Sequence, residues 1–217
     1  MSSAVLIVAS TRVHADPQEM LRIQDTVSAL RDQGRAVDLL VPRTAPLLTA
    51  ALEPATRVFT VPRVPYTECP PHRPSLRRFF TAALMFFRGV ALVSHRDYAV
   101  IHGFNDGALI ARAIDRGTVR RYPYVAEIHR PFSKPGFFRS PRSAFARYLE
   151  RSALKHAAAI ILPDVDTLER FAGKLPKARV SLIPDPHSEI SPDAFTRGEF
   201  SAAIGHIYDY VLRPRYR

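Results

Sequence analysis

The sequence predicts an α/β fold: a doubly wound, mostly parallel sheet of about seven strands, with helices on both faces and a C-terminal helix packed back on the domain. Three observations carry this prediction. Short aliphatic and β-branched runs, with little polar alternation, have the character of strands buried on both faces. Segments with apolar residues at helical spacing stand between those runs. The alternation persists along the chain, and parallel strands need such covering segments because their crossovers are right-handed.

The first strand is Ala4 to Ala9, AVLIVA. Asp16 as N-cap, Pro17 as first helical residue and Glu19 as capping partner open a helix; Met20, Ile23, Val27 and Leu30 recur along it until Gly34. Strands follow at Ala36 to Val41 and Arg57 to Val61, with a shorter helical piece around Pro46 to Leu52 between them. Pro62 to Pro74 is irregular, since each proline removes a donor and restrains its predecessor. A helix over about Leu76 to His95 leads to strand Tyr98 to His102, then helix Asp106 to Ile114 closed by Gly117, then strand Tyr124 to Ile128. Ser140 and Pro141 open a helix to about Lys155; strand Ala158 to Leu162, helix Asp164 to Ala172 and strand Val180 to Ile183 complete the series. After a linker-like stretch, Pro184 to Pro192, the residues Phe200, Ile204, Ile207 and Val211 share one face of a terminal helix over about Arg197 to Leu212. The layout is Rossmann-like, with one domain over 1–195 and the closing helix and tail over 196–217.

Composition narrows the class. With 47% hydrophobic and 24% charged residues in 217, the chain is ordinary globular protein with length for one substantial core. The opening apolar run has no basic stretch before it and no cleavage site after it, so it reads as a strand and not a leader. Phe79 to Val93 is shorter than the roughly 20 apolar residues a membrane span needs, and Arg88 interrupts it. Cys69 stands alone, which excludes an internal disulfide and a thiolate metal cluster and suits a reducing cytoplasm. The net charge of +11 points toward polyanions, anionic lipid or phosphorylated substrates. Nearly all of it is arginine, scattered as a compositional bias would also scatter it.

Ligands of open doubly wound sheets bind beyond the carboxyl ends of the strands, where the strand order reverses, here between the first and fourth strands. The strand exits there carry Arg12 and His14, then His102, Gly103 and Asn105, then His129 and Arg130. Three histidines at one edge outweigh the ordinary role of a lone histidine satisfying a backbone group. No pair of them has a familiar metal-ligand spacing, so no metal is expected. Neither G-x-G-x-x-G nor a P-loop occurs, which removes dinucleotide and P-loop enzymes, and without G-x-S-x-G the usual hydrolase nucleophile is missing. Leu76 to Gly89, LRRFFTAALMFFRG, mixes arginine and phenylalanine as an interfacial helix does, with Arg73, Arg77, Arg78, Phe79, Phe80 and Arg88 as its membrane-surface residues. Phe79, Ala83, Phe86 and Val90 also fit an ordinary core stripe, and the two roles are compatible.

Five phrases in order resemble the amino-terminal domain of family 4 glycosyltransferases, which have the GT-B arrangement of two facing Rossmann-like domains. They are DPQEMLRIQDTVSALRDQGRAVDLLVP, DYAVIHGFNDGALIARA, YPYVAEIHRPF, AAAIILPDVDTLERF and RVSLIPDPHSEISPDAF, and with the opening strand they cover roughly Val5 to Phe195. The resemblance implies that the last phrase is where the chain leaves for the second domain and that the closing helix returns from it. About twenty residues follow Phe195, against the order of 150 that a nucleotide-sugar domain needs, so the donor-gripping residues are expected on a separate chain. It also implies that His129 is the catalytic histidine facing the sugar donor. By the same resemblance Arg12, His14, Asp16, His102, Asn105 and Arg130 are expected to line the acceptor side, although the glycines usual in the first loop are absent.

The expected function is therefore an acceptor-binding domain or subunit, transferring sugar from a nucleotide-sugar only with a separately encoded donor domain and holding no cofactor of its own. Its expected partners are that donor chain, a lipid-linked or glycan acceptor and an anionic membrane surface, with the chain cytoplasmic or peripheral on the membrane's inner face. The alternative is a noncatalytic interaction or regulatory protein that retains the fold. Nucleic acid is a weaker expectation, since the sequence has neither a recognition motif nor a basic stripe with interleaved aromatics.

Overall fold

Seven strands run parallel in the order β3-β2-β1-β4-β5-β6-β7. They are β1 (Ala4–Ala9), β2 (Val37–Pro42), β3 (Arg57–Val61), β4 (Tyr98–Phe104), β5 (Tyr124–Glu127), β6 (Ala159–Leu162) and β7 (Val180–Leu182). Six helices accompany them among the described residues: α1 (Pro17–Asp32), α2 (Leu76–His95), α3 (Gly107–Gly117), α4 (Pro141–His156), α5 (Val165–Arg170) and α6 (Arg197–Val211). The computed structural model describes residues 4–10, 17–43, 56–62, 76–129, 141–171, 175, 179–184, 186 and 195–213. The helical piece expected around Pro46 to Leu52, the irregular stretch up to Pro74 and most of Pro184 to Pro192 lie outside them.

The expected elements are present where they are described, and their burial gives the reason. All six residues of β1 are buried, because β1 pairs with β2 on one side and β4 on the other and is covered above and below. Alternate residues feed two cores. Val5, Ile7, Val100, Phe104 and Ile161 pack with Ile23 and Leu30 of α1 and with Phe200 and Ile204 of α6. On the opposite face Leu6, Val8, Ile101 and Ile160 pack with Met85 of α2, Ile114 of α3 and Leu154 of α4.

Topology explains why α6 is needed. The crossover from β1 to β2 runs toward one edge of the sheet, whereas those from β3 through β7 run back toward the other. A right-handed connection then places α1 on one face and α2, α3 and α4 on the opposite face. The α1 face beyond β1 would be left uncovered, and α6 covers it, its Phe200 and Ile204 sharing a core with Val125, Ile161 and Ile183. A reciprocal capping box between Thr196 and Glu199 starts this helix. Arg35 pairs with Asp209 at 2.8 Å, and Gln33 donates to the Ser201 carbonyl at 2.9 Å, fastening α6 along α1.

Two glycines expected to end helices do different work. Gly34 has φ +72°, and it and Arg35 donate to the carbonyls of Arg31 and Leu30, the paired closure that favours glycine after a helix. Gly117 has no such backbone and remains within α3; a methyl group there would approach the Phe86 ring to 2.8 Å, so its role is close packing of α3 on α2. Gly107 permits a closer approach still: a Cβ on it would lie 2.0 Å from the Val8 carbonyl oxygen. The first turn of α3 thus sits directly on the end of β1.

The core-stripe expectation for α2 is corrected in register. Met85, Gly89 and Val93 are buried and Phe86 and Val90 partly so, while Phe79 is 70% exposed and Phe87 67%. Helix periodicity alone does not choose between two apolar faces of one helix; the packing against α3 does.

Gly107→Ala is expected to destabilise the domain by about 1–3 kcal/mol, since backbone opposes the new methyl group. Gly198→Ala, near the start of α6, where a Cβ would meet only the Thr196 hydroxyl at an ordinary 3.8 Å, is expected to stabilise it by about 0.4–1 kcal/mol. Urea denaturation of both variants measures the contrast.

Candidate functional site

β1 and β4 are neighbours and the strand order reverses between them, the position at which the sequence predicts a ligand. Glu127, at the last position of β5 beside it, is fully buried on the α1/α6 side. A buried carboxylate requires compensation, and Glu127 receives it from three directions. Arg22 of α1, also fully buried, donates from Nε to Oε1 at 2.7 Å. His129 Nε2 meets the same oxygen at 2.9 Å. His102 Nε2 lies 3.0 Å from Oε2, within ion-pair distance but off the line of a good hydrogen bond. Burial pushes the Glu127 carboxyl up; the Arg22 guanidinium and the two imidazoles outweigh it and hold the group well below the usual carboxylate range.

The remaining atoms of the cluster are also engaged. Arg22 donates to the carbonyls of Pro184 at 2.7 Å and Ile183 at 3.1 Å, just after β7, and its guanidinium stands 4.2 Å over the Phe200 ring of α6. His102 Nδ1 and the Tyr208 hydroxyl of α6 are 2.7 Å apart. Burial, then the nearby Glu127 charge, raises the Tyr208 hydroxyl well above its ordinary value, so it is a proton donor at neutral pH. A carboxylate only accepts, which places the Nε2 proton of His102 on the Glu127 side, with Nδ1 in contact with the Tyr208 hydroxyl. The same rule places the Nε2 proton of His129 on Glu127. His129 is thereby an oriented imidazole with 15% of its side chain exposed.

Asn105 sets the main chain of this mouth. It adopts φ 46°, an uncommon conformation that asparagine tolerates, and its N–H donates to the Glu127 carbonyl at 2.7 Å. Its Oδ1 accepts the His129 N–H at 2.9 Å, fixing the chain as it leaves β5.

The structure therefore brings together His129, His102 and Asn105 of the expected site. It also moves His102: β4 continues to Phe104, so His102 lies inside the strand, fully buried with its ring stacked on Phe104, and stands behind His129 instead of lining an acceptor surface. Arg12, His14, Asp16 and Arg130 lie outside the described residues, as does Arg73. Arg77 and Arg78 belong to the first turn of α2, and Arg88 is exposed with its guanidinium 5.7 Å from the Phe59 ring. Sequence reasoning missed Glu127, Arg22 and Tyr208. The signal for the first was a carboxylate in the otherwise apolar strand YVAE, which calls for a buried cation; the identity of that cation is not encoded locally.

A parallel Rossmann-like sheet, with a histidine held at its carboxyl edge and α6 packed back on the α1 face, is the layout that the resemblance to family 4 glycosyltransferases implies. A family model, Glycosyltransferase Family 4, matches residues 22–186, and the chain belongs to that family. No curated protein matches it by sequence. Among solved structures it is similar to a two-segment piece of sucrose-phosphate synthase from Thermosynechococcus elongatus, with 15% identity, TM-score 0.63, and 94% of this chain and 97% of that one covered. The fuller sucrose-phosphate synthase chain of the same organism matches at 15% identity and TM-score 0.61 over 84% of this chain and 48% of that one. Anabaena HepE, solved in complex with UDP, matches at 17% identity and TM-score 0.56 over 85% of this chain and 44% of that one. Apart from the two-segment piece, the chain spans about half the length of these relatives.

Glu127→Gln leaves the Arg22 charge buried without its counter-ion and is expected to cost about 3–5 kcal/mol in urea denaturation. The pH dependence has a definite sign. A depressed carboxyl contributes its full stability above its unfolded value and loses it as pH falls through the folded value, so wild-type stability drops below about pH 4 and Glu127→Gln flattens that drop. Tyr208→Phe strands the buried His102 Nδ1 and is expected to cost about 1–3 kcal/mol by thermal or urea unfolding.

Proposed function

We propose that these 217 residues form the acceptor-side half of a glycosyltransferase, in which His129 faces a sugar donor held by residues outside this stretch. The observation that carries the reading is His129 itself: an imidazole at the exit of β5, oriented by a buried carboxylate, partly exposed, beside the point where the strand order reverses. Family membership supports the reaction class, and the half-length match to the fuller relatives supports a donor site supplied from elsewhere. In this reading Glu127 positions the ring and keeps its Nε2 protonated, so that Nδ1 accepts a hydroxyl proton or hydrogen bond from the sugar side. His102 and Tyr208 hold the carboxylate from behind. The donor is a nucleotide-sugar, and the acceptor binds on the side of the β1 and β4 exits.

The test is turnover of nucleotide-sugars by the tagged chain recovered from native lysate with its bound proteins. Transfer by wild type, reduced about a hundredfold or more by His129→Ala with unfolding behaviour unchanged, is the expected outcome. Recovery of folded chain that never supports transfer, or transfer indifferent to His129→Ala, would replace this reading with a noncatalytic role for the fold.

A further inference from the structure

The outer face of α2 is the part of the molecule that the site leaves unexplained. Phe79, Phe80, Leu84 and Phe87 are 70, 56, 39 and 67% exposed. Phe80, Leu84 and Phe87 follow at i, i+4 and i+7, so they form one stripe along the helix. The stripe cannot turn inward, because the opposite side of α2 is locked onto α3 by close packing. A Cβ at Gly89 would meet Ile114 at 2.3 Å, and one at Gly117 would meet Phe86 at 2.8 Å. Isolated exposed apolar residues are ordinary; three phenylalanines more than half exposed on one helix are a surface with a partner.

Charge selects that partner. Arg88 is exposed beside the stripe. Arg77 and Arg78 stand in the first turn, which has no acidic residue and carries the positive end of the helix dipole. A second copy docked on this stripe would oppose like arginines on two chains of net charge +11. An apolar stripe bordered by arginine, on a helix that is not long and apolar enough to cross a membrane, matches an interfacial helix on anionic lipid.

We infer that α2 docks this chain on an anionic membrane surface, with Phe80, Leu84 and Phe87 entering the headgroup boundary and Arg88 pairing with lipid phosphate. The inference is independent of catalysis by His129 and is read without any transfer assay. The full chain is sedimented with phosphatidylcholine vesicles prepared with and without phosphatidylglycerol, at low and high salt, beside light scattering of the chain alone. Expected are binding to the anionic vesicles only, loss of binding at high salt, weakening of about tenfold or more in Phe80→Ser/Phe87→Ser and of about fivefold in Arg88→Gln. The exposure of these side chains leaves the unfolding midpoint of each variant close to wild type, which circular dichroism verifies. Three results overturn the inference: no binding to anionic vesicles, binding that the phenylalanine pair does not affect, or a dimer in solution that the same pair dissolves.

Discussion

One buried carboxylate organises the functional half of this molecule. Glu127 holds Arg22 of α1, His102 of β4 and His129 at the mouth of β5, and Arg22 extends the link to the carbonyls of Ile183 and Pro184. Such a cluster is poor evidence for net stability, because the attraction between buried charges is largely cancelled by the cost of taking them out of water. Its value lies in selectivity. Every alternative arrangement that leaves Arg22 or Glu127 buried without the other is disfavoured by several kcal/mol, so α1, β4 and β5 have one acceptable alignment.

The closing helix belongs to the same constraint. Right-handed crossovers oblige α2, α3 and α4 to share one face, leaving the β4–β5 part of the other face without a covering helix from the parallel series. α6 supplies that cover, and in doing so carries Tyr208 to His102 and Phe200 beneath Arg22. A helix that topology requires for burial thereby also sets the second contact of the histidine behind the site. The two-segment piece of sucrose-phosphate synthase, matched over 94% of this chain, has a similar fold.

Most of the fold was legible because it is written in local pattern. AVLIVA reads as a doubly buried strand, and Gly34 and Asp164 mark helix ends through backbone chemistry that depends on neighbouring residues alone. The candidate site was legible only at its edge. His129 follows a strand and could be placed by the rule for carboxyl ends, but Glu127 and Arg22 are 105 residues apart in sequence and no periodicity pairs them. His102 was assigned to a strand exit because the strand was expected to end there; two further residues, Gly103 and Phe104, move it into the core. Gly117 shows the converse error: glycine after a helical pattern suggests a cap, yet at this position only the neighbouring Phe86 explains it.

The outer face of α2 and the mouth at His129 have a geometric relation that neither shows alone. A helix that precedes a parallel strand runs antiparallel to it, so α2 begins at the carboxyl edge of the sheet and its first turns, with Phe79 and Phe80, lie toward the edge where β5 delivers His129. Phe79 and Phe80 belong to the half of the helix nearer that edge and Phe87 lies just past its midpoint; toward the other end, Val93 is buried and His95 bonds its own helix at the Ala91 carbonyl. A lipid surface meeting those first turns would lie close to the candidate cleft while the α1/α6 face, closed by Arg35, Asp209 and Gln33, points elsewhere. One sheet edge can then serve two purposes because the two helical layers divide the work: α1 and α6 fix the imidazole from within, and α2 leaves its apolar side outward.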